Sequence, residues 1–300
     1  MHIGATEILD THAEAFSARY ARLVVTAIDE HWVDAAVRAT AGYATSVIGC
    51  DCEAGVDRIL RMSETSDGRP GVSLLFFAFT TKKLAGGVAN RVGQCVLTCP
   101  TTACFNDLPQ AAESIPLGDW IRYFGDGYES REQGAGSRES NHWRIPVMDG
   151  EFVVDDVAGV EQGIGGGNLI LHAESQAAGL AAALRAAGVL TNMPNIITPF
   201  PGGVCRSGSK VGSRYKNLIA STDEVYCPTL RDEVASQLVA SANCAYEIVI
   251  NGVDLAAVRE AMRAAIEAAA GPGVLAIGAR NFGGKLGKYK IGLHDLFAKP

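Results

Sequence analysis

One carboxylate lies inside an apolar segment of the chain, where an isolated charge is costly. Glu247 is the second residue of the run Y-E-I-V-I, which has the pattern of a strand. Alternation places Tyr246, Ile248 and Ile250 on one face and Glu247 with Val249 on the other. If the second face borders a cleft, partial desolvation raises the pKa of Glu247 toward a value useful for proton transfer. If that face is open to water, Glu247 is an ordinary surface residue, and the strand pattern alone favours this second interpretation.

Three glycine-rich segments lie in the same half of the chain. The segment G-V-C-R-S-G-S-K at 203–210 is close to the nucleotide-binding pattern G-x-x-x-x-G-K-[ST], but Ser209 and Lys210 are interchanged and no helical pattern follows. G-I-G-G-G at 163–167 precedes a strand, which is the reverse of a dinucleotide-binding loop. N-F-G-G-K-L-G at 281–287 is a third turn. Because glycine lets a backbone approach a ligand closely, we interpret these loops as walls of one cleft. Plain connections without a ligand are the alternative.

Other catalytic patterns are weak. The pair C-x-C at 50–52 has no second knuckle of the kind that structural zinc sites use. The six histidines show no paired metal spacing, and no G-x-S-x-G elbow occurs. The sequence therefore predicts no metal site and no covalent serine catalysis.

Composition limits the class of protein further. The 300 residues carry a formal net charge of -7, which argues against a nucleic-acid partner because a phosphate backbone favours a basic face. No apolar run approaches the roughly 20 residues of a membrane span, and no signal peptide is visible. We therefore expect a cytoplasmic protein without a membrane partner, whose eight cysteines are thiols.

The hydrophobic pattern predicts two similar halves, each with four strands and two helices. The N-terminal half has predicted strands at 22–28, 43–48, 72–79 and 95–99 and helices at 30–40 and 83–93. The C-terminal half has predicted strands at 168–172, 195–198, 244–250 and 274–279 and helices at 175–187 and 255–270. Two successive βαβ units make the split-βαβ plan. The predicted fold is therefore α+β with two ferredoxin-like sandwich lobes, 1–145 and 146–300, and the polar run 129–142 lies near their boundary.

Several longer motifs occur in a fixed order along the chain. They include D-T-H-A-E-A-F at 10–16, D-G-R-P-G-V at 67–72, F-G-D-G-Y at 124–128, G-G-N-L-I-L-H-A-E-S-Q-A-A-G-L at 166–180, P-F-P-G-G at 199–203, S-K-V-G-S at 209–213, A-S-T-D-E-V-Y-C-P-T at 220–229 and Y-E-I-V-I-N-G at 246–252. Along nearly its whole length the chain thereby resembles the formylmethanofuran:tetrahydromethanopterin formyltransferase family.

This resemblance implies a specific activity and assembly. It implies an acyltransferase of one-carbon metabolism that moves a formyl group between methanofuran, or a methanofuran-like carrier, and N5 of tetrahydromethanopterin. It implies a homotetramer with active sites in clefts where subunits meet, and no bound prosthetic group. The alanine-rich, mildly acidic composition is similar to that of bacterial members, whose subunit belongs to a formyltransferase/hydrolase complex.

The resemblance also assigns roles to residues. It implies that Glu247 is the catalytic acid–base residue and that the glycine-rich loops bind substrate. The candidate substrate-binding residues are Gly202, Gly203, Ser207, Ser209, Lys210, Asn281, Gly283, Gly284 and Lys285. The alternative function is that of a non-catalytic subunit, which binds the carrier or supports assembly in a formyl hydrolase complex.

Overall fold

A computed structural model describes residues 1–133, 141–284 and 286–298. The chain forms two compact units, an N-terminal unit of residues 18–162 and a C-terminal unit of residues 1–17 with 163–300. Their bounds differ from the predicted lobes 1–145 and 146–300, because two long strands each contribute residues to both units.

The described residues contain strands and helices in alternation. The strands are β1 His2–Ile3, β2 Thr6–Ile8, β3 His12–Thr26, β4 Glu53–Leu60, β5 Gly71–Ala78, β6 Ala103–Asn106, β7 Glu113–Pro116, β8 Ser130–Glu132, β9 His142–Val147, β10 Gly150–Asp155, β11 Val157–Ala173, β12 Ile196–Ile197, β13 Lys210–Val211, β14 Ala220–Ser221, β15 Cys244–Gly252, β16 Val274–Gly278 and β17 Tyr289–Gly292. The helices are α1 Glu30–Ala41, α2 Thr81–Arg91, α3 Gly118–Ile121, α4 Gln176–Leu190 and α5 Leu255–Ala269. None of these helices is long and apolar enough to cross a membrane.

The N-terminal unit is built on the strand order β6-β3-β5-β4, in which all neighbours are antiparallel. With α1 between β3 and β4 and α2 between β5 and β6, this is the split-βαβ order of fourth, first, third and second strand. β10 extends the sheet in parallel with β6, and β9 continues it. Buried apolar side chains of the strands and of both helices form one core.

The C-terminal unit repeats this order with β16-β11-β15-β12, again antiparallel throughout. Here α4 follows β11 and α5 follows β15, and β2 adds a parallel strand beside β16. The predicted α+β class with two lobes of repeated βαβ units is confirmed.

Two predicted strands are wrong. Residues 43–48 lie outside any strand, and the second strand of the N-terminal unit is β4. The apolar run at 95–99 begins inside the helical segment Val92–Val96, and β6 follows it. Such short apolar runs are equally compatible with buried helix and buried strand. The polar run 129–142 contains β8, while its residues 134–140 lie outside the described residues.

The helices of the C-terminal unit cover one face of β15. The carboxylate of Asp254 caps α5 by accepting from the Ala257 N–H at 2.7 Å. The buried stripe of α5, which includes Met262, belongs to the same core as Ile248 and Ile250. Because side chains alternate along a strand, the opposite face of β15 is left for loops to cover.

Candidate active site

Glu247 lies on that opposite face and is 3% exposed. Its carboxylate accepts two hydrogen bonds from one residue: the Ser209 N–H donates to Oε2 at 2.6 Å and the Ser209 hydroxyl donates to Oε1 at 2.8 Å. The interpretation that this face is withdrawn from water is confirmed, and the surface interpretation is wrong.

Backbone pairing along the edge of β15 brings Ser209 to this position. Beyond β12, the edge is continued by Cys205, whose N–H donates to the Glu247 carbonyl at 2.8 Å, while the Glu247 N–H donates to the Cys205 carbonyl at 3.1 Å. The chain then turns at Gly208, where φ is +73°, a conformation that favours glycine. This turn directs Ser209 back onto the carboxylate.

Burial raises the pKa of Glu247 to about 7, because the charged form loses hydration. The two hydrogen bonds from Ser209 oppose this rise, since they stabilise the carboxylate. Of the nearby charges, Asp223 raises the pKa and Arg280 lowers it. The carboxyl group therefore exchanges a proton near neutral pH, as a residue that acts as both base and acid requires.

The Glu247 carboxyl lies at a small cavity in the C-terminal unit, and a larger groove shares part of the lining of that cavity. A cavity of about 40 Å³ is bounded by Glu247 and Tyr226, and a groove of about 1020 Å³ runs beside it. Cys205, Arg206 and Ser207 line both. The segment that pairs with β15 is thus the wall between the buried carboxyl and the larger groove.

Four further residues, which the sequence did not single out, complete the surroundings of Glu247. Asp223 and Arg280 form a two-pronged ion pair, with Oδ2–Nε at 2.7 Å and Oδ1–Nη2 at 3.1 Å. The guanidinium carbon of Arg280 lies over the Tyr226 ring, 5.8 Å from the centre of that ring. The Tyr226 ring also packs edge to face with the His172 ring. Burial lowers the pKa of His172 to about 4, so its ring is neutral. Asp223, Tyr226 and His172 belong to the motifs at 220–229 and 166–180, which were the available signal.

The predicted loop residues 202–210 are only partly brought together. Ser209 binds the carboxylate and Ser207 lines both hollows. Gly202 and Gly203 form the turn between Pro201 and Val204, which both line the groove. The Lys210 ammonium points elsewhere and pairs with Glu224, which lowers the pKa of that carboxyl.

The predicted loop at 281–287, which the structure describes except for Lys285, is shaped by another buried carboxylate. Glu14, in the D-T-H-A-E-A-F motif, accepts from the backbone N–H groups of Gly284 and of Leu286, the latter at 3.2 Å. Although burial raises the pKa of Glu14, these backbone donors hold it below its usual value. Asn281 accepts from the Gly283 N–H at 3.4 Å.

This second loop does not reach Glu247. Asn281, Gly283 and Gly284 are not among the residues that line either hollow, and Lys285 lies outside the described residues. The connection to the site runs through Arg280, one residue before the loop.

The part of the chain that the structure describes shows no group of three or more His, Cys, Asp or Glu placed to hold a metal ion. All eight cysteines are free thiols. Burial raises the pKa of Cys205, beside Glu247, to about 11, so that thiol is protonated at neutral pH.

Fold and site together define a two-lobed α+β protein in which one buried carboxyl, with a pKa near 7, is separated by a single wall segment from a ligand-sized groove. Two family models cover this chain: residues 1–147 match formylmethanofuran-tetrahydromethanopterin formyltransferase, and residues 150–296 match the proximal lobe of the same family. The chain belongs to the formylmethanofuran-tetrahydromethanopterin formyltransferase family.

Relatives match over their full length. The formylmethanofuran–tetrahydromethanopterin formyltransferases of Methylococcus capsulatus and Methanosarcina mazei are 48% and 45% identical to this chain, with 99% of the chain and 100% of each relative covered.

Two solved structures are also similar. The Methanosarcina barkeri formyltransferase has a TM-score of 0.91 and 43% identity, covering 99% of this chain and 100% of that one. A chain in the crystal structure of the formyltransferase/hydrolase complex from Methylorubrum extorquens, with methylofuran, has a TM-score of 0.93 and 43% identity, covering 100% and 99%.

Proposed function

We propose that this protein is an N-formyltransferase that moves a formyl group between a methanofuran-type carrier and N5 of tetrahydromethanopterin. One observation carries the proposal. The Glu247 carboxyl is buried, accepts two hydrogen bonds from Ser209 and has a pKa near 7, and only the wall segment separates it from the groove. Membership of the formyltransferase family supports the identity of the two carriers.

The reaction needs one proton to move between two nitrogens. The lone pair of the acceptor amine attacks the formyl carbon, the carbonyl π electrons move to oxygen, and a tetrahedral intermediate forms. The Glu247 carboxylate takes the proton from the attacking nitrogen and gives it to the leaving nitrogen. The C–N bond to the donor then breaks, the carbonyl re-forms, and Glu247 ends in its starting state.

The developing oxyanion needs hydrogen-bond donors, and the wall segment contains them. The Ser207 hydroxyl now donates to the neighbouring Gly208 carbonyl at 3.1 Å and can rotate toward a bound substrate. Backbone N–H groups of the same segment lie beside it. We assign the oxyanion site to this segment because it separates the cavity from the groove.

The groove of about 1020 Å³ is large enough for a substantial part of a carrier. Arg206 supplies a positive charge, and no acidic residue occurs among the described residues that line the groove. We therefore place one carrier in this groove, with its reacting nitrogen directed over Ser207 toward Glu247. Holding two large carriers in register supplies much of the rate.

The test is a transfer assay with the purified chain, N5-formyl-tetrahydromethanopterin and a furan amine. We expect formyl transfer by the wild type and by Glu260→Gln, a matched control on the exposed side of α5. Glu247→Gln is expected to bind carriers but to transfer the formyl group about 10² to 10⁴ times more slowly. Absence of transfer by the wild type would favour the second candidate function, a non-catalytic subunit that binds the carrier for a hydrolase.

Assembly is the remaining part of the proposal. The Methylorubrum extorquens structure is a formyltransferase/hydrolase complex, and this similarity supports hydrolase subunits as partners of the present chain. We also propose a homotetramer that acts in the cytoplasm. Large apolar side chains are exposed on the loop between β13 and β14, including Tyr215, Leu218 and Ile219, and contact with another chain would cover them. Native mass measurement of the purified assembly tests both the homotetramer and the association with hydrolase subunits.

A further inference from the structure

The Asp223–Arg280 ion pair is anchored to the sheet more firmly than a surface pair would be. The residues are 57 positions apart, and Asp223 is 4% exposed. Arg280 is fixed through its backbone: its N–H donates to the Asn168 side-chain oxygen at 2.6 Å, and the Asn168 amide donates back to the Arg280 carbonyl at 3.1 Å. The guanidinium also lies over the Phe282 ring, 4.9 Å from its centre. Planar, two-pronged pairs of this type fix geometry as well as charge.

Asp223 in turn holds the wall segment against Glu247. Its backbone N–H donates to the Ser207 carbonyl at 2.9 Å. Gly208 packs so closely on it that a Cβ at Gly208 would come within 2.6 Å of the Asp223 Cβ. The next residue, Ser209, makes both hydrogen bonds to the Glu247 carboxylate. A continuous chain of contacts thus runs from the sheet through Arg280 and Asp223 to the catalytic carboxyl.

We propose that Asp223 and Arg280 are positioning residues of the active site, which keep Ser209 on Glu247 and balance the charge around that carboxyl. This inference rests on the proposed function, in which Glu247 is the proton carrier.

The charges that face Glu247 support this role. The groups in its surroundings are Asp223 and Arg280, Cys205 on the paired segment, Tyr226 on the turn after Asp223, and His172 against the Tyr226 ring. Burial lowers the pKa of His172 to about 4, so it carries no charge at pH 7. Burial raises the pKa of Cys205 to about 11 and of Tyr226 to about 12, so both are neutral at pH 7. Asp223 raises the pKa of Glu247 and Arg280 lowers it. The pair therefore places opposing charges near the carboxyl. Loss of one partner leaves the charge of the other partner uncompensated beside Glu247.

The experiment is an infrared titration of the full chain, in which the C=O band of the protonated Glu247 carboxyl is followed against pH. The band is assigned by its loss in Glu247→Gln. Asp223→Asn keeps the shape of the side chain but removes its charge, so Arg280 is left unbalanced. We expect the titration midpoint of Glu247 to fall from near 7 by about one pH unit. Arg280→Lys keeps the cation, and its midpoint is expected to stay closer to that of the wild type.

A matched glycine pair tests the packing contact separately. Gly208 and Gly212 both have positive φ, at +73° and +87°, so an alanine is strained at either position. An added Cβ meets Asp223 at Gly208, whereas nothing lies within 4 Å at Gly212. Gly208→Ala should push Ser209 away and raise the Glu247 midpoint, because the Ser209 bonds lower it. Gly212→Ala should leave the midpoint unchanged.

A purely structural role would lower the melting temperature of these variants without moving the midpoint, and that result overturns the inference. If Asp223→Asn does not fold, the comparison of Gly208→Ala with Gly212→Ala tests the inference. The infrared band is read without substrate. A wild type without transferase activity but with a midpoint that responds to Asp223 would therefore refute the proposed reaction and leave the positioning contacts standing.

Discussion

Burial of Glu247 predicts a stability that depends on pH in a defined direction. The folded pKa is about 7 and the ordinary value is 4.5, so the folded state binds the proton more tightly than the unfolded state. The stabilisation from protonation is fully present below pH 4.5 and is lost as pH rises through 7. At about 1.4 kcal/mol per pH unit, the difference between the two values corresponds to about 3 kcal/mol.

The assay compares wild type with Glu247→Gln, whose amide resembles the protonated carboxyl and cannot ionise. The free energy of unfolding is measured by urea denaturation of both proteins between pH 5 and pH 9, and the difference between them is plotted. The wild type is expected to lose about 2 to 3 kcal/mol relative to Glu247→Gln over this range. Glu260→Gln, on the exposed side of α5, serves as the control and should parallel the wild type. Parallel curves for wild type and Glu247→Gln would refute the assignment of a raised pKa to this residue.

Two further changes test the contacts that shape the site. Ser209→Ala removes the 2.8 Å hydrogen bond to Oε1, of a kind that contributes about 1.5 to 3 kcal/mol to an ionised acceptor. The pKa of Glu247 should therefore rise, and the pH midpoint of the transfer rate should move up by about one unit. Glu14→Ala leaves the N–H groups of Gly284 and Leu286 without their acceptor. The free energy of unfolding should fall by about 2 to 4 kcal/mol in urea denaturation, and a change within 0.5 kcal/mol would contradict this account of the loop.

The sequence predicted the elements whose pattern is regular. Helix α5 was predicted because its apolar residues recur at helical spacing, and β15 because its apolar residues form a short, nearly continuous run. Strand β4 was missed because it contains Asp57, a buried carboxylate that pairs with Arg22 at 3.3 Å and interrupts the apolar pattern. A buried ion pair can be recognised only once the positions of both residues in the fold are known.

The candidate site shows the same limit. Glu247 was singled out as a lone carboxylate in an apolar strand, but the pattern alone favoured a surface position and its catalytic role came from the family resemblance. Ser209 was included through its glycine-rich loop, but its direct contact with Glu247 depends on the turn at Gly208. Asp223 and Arg280 could not be connected from local pattern, because β15, α5 and β16 lie between them in the chain and the two residues meet only in the folded unit. The loop at 281–287 was predicted to line the cleft on composition, but the backbone N–H groups of its Gly284 and Leu286 donate to Glu14.

The most direct test of the central claim is single-turnover formyl transfer by Glu247→Gln beside wild type, with carrier binding measured on the same samples. General acid–base catalysis by one side chain contributes about 10² to 10⁴ in rate, so we expect a loss in that range with binding retained. In the wild type the rate should titrate with a midpoint near pH 7. A Glu247→Gln rate within threefold of wild type, with an unchanged pH profile, would contradict the claim that this carboxyl carries the proton.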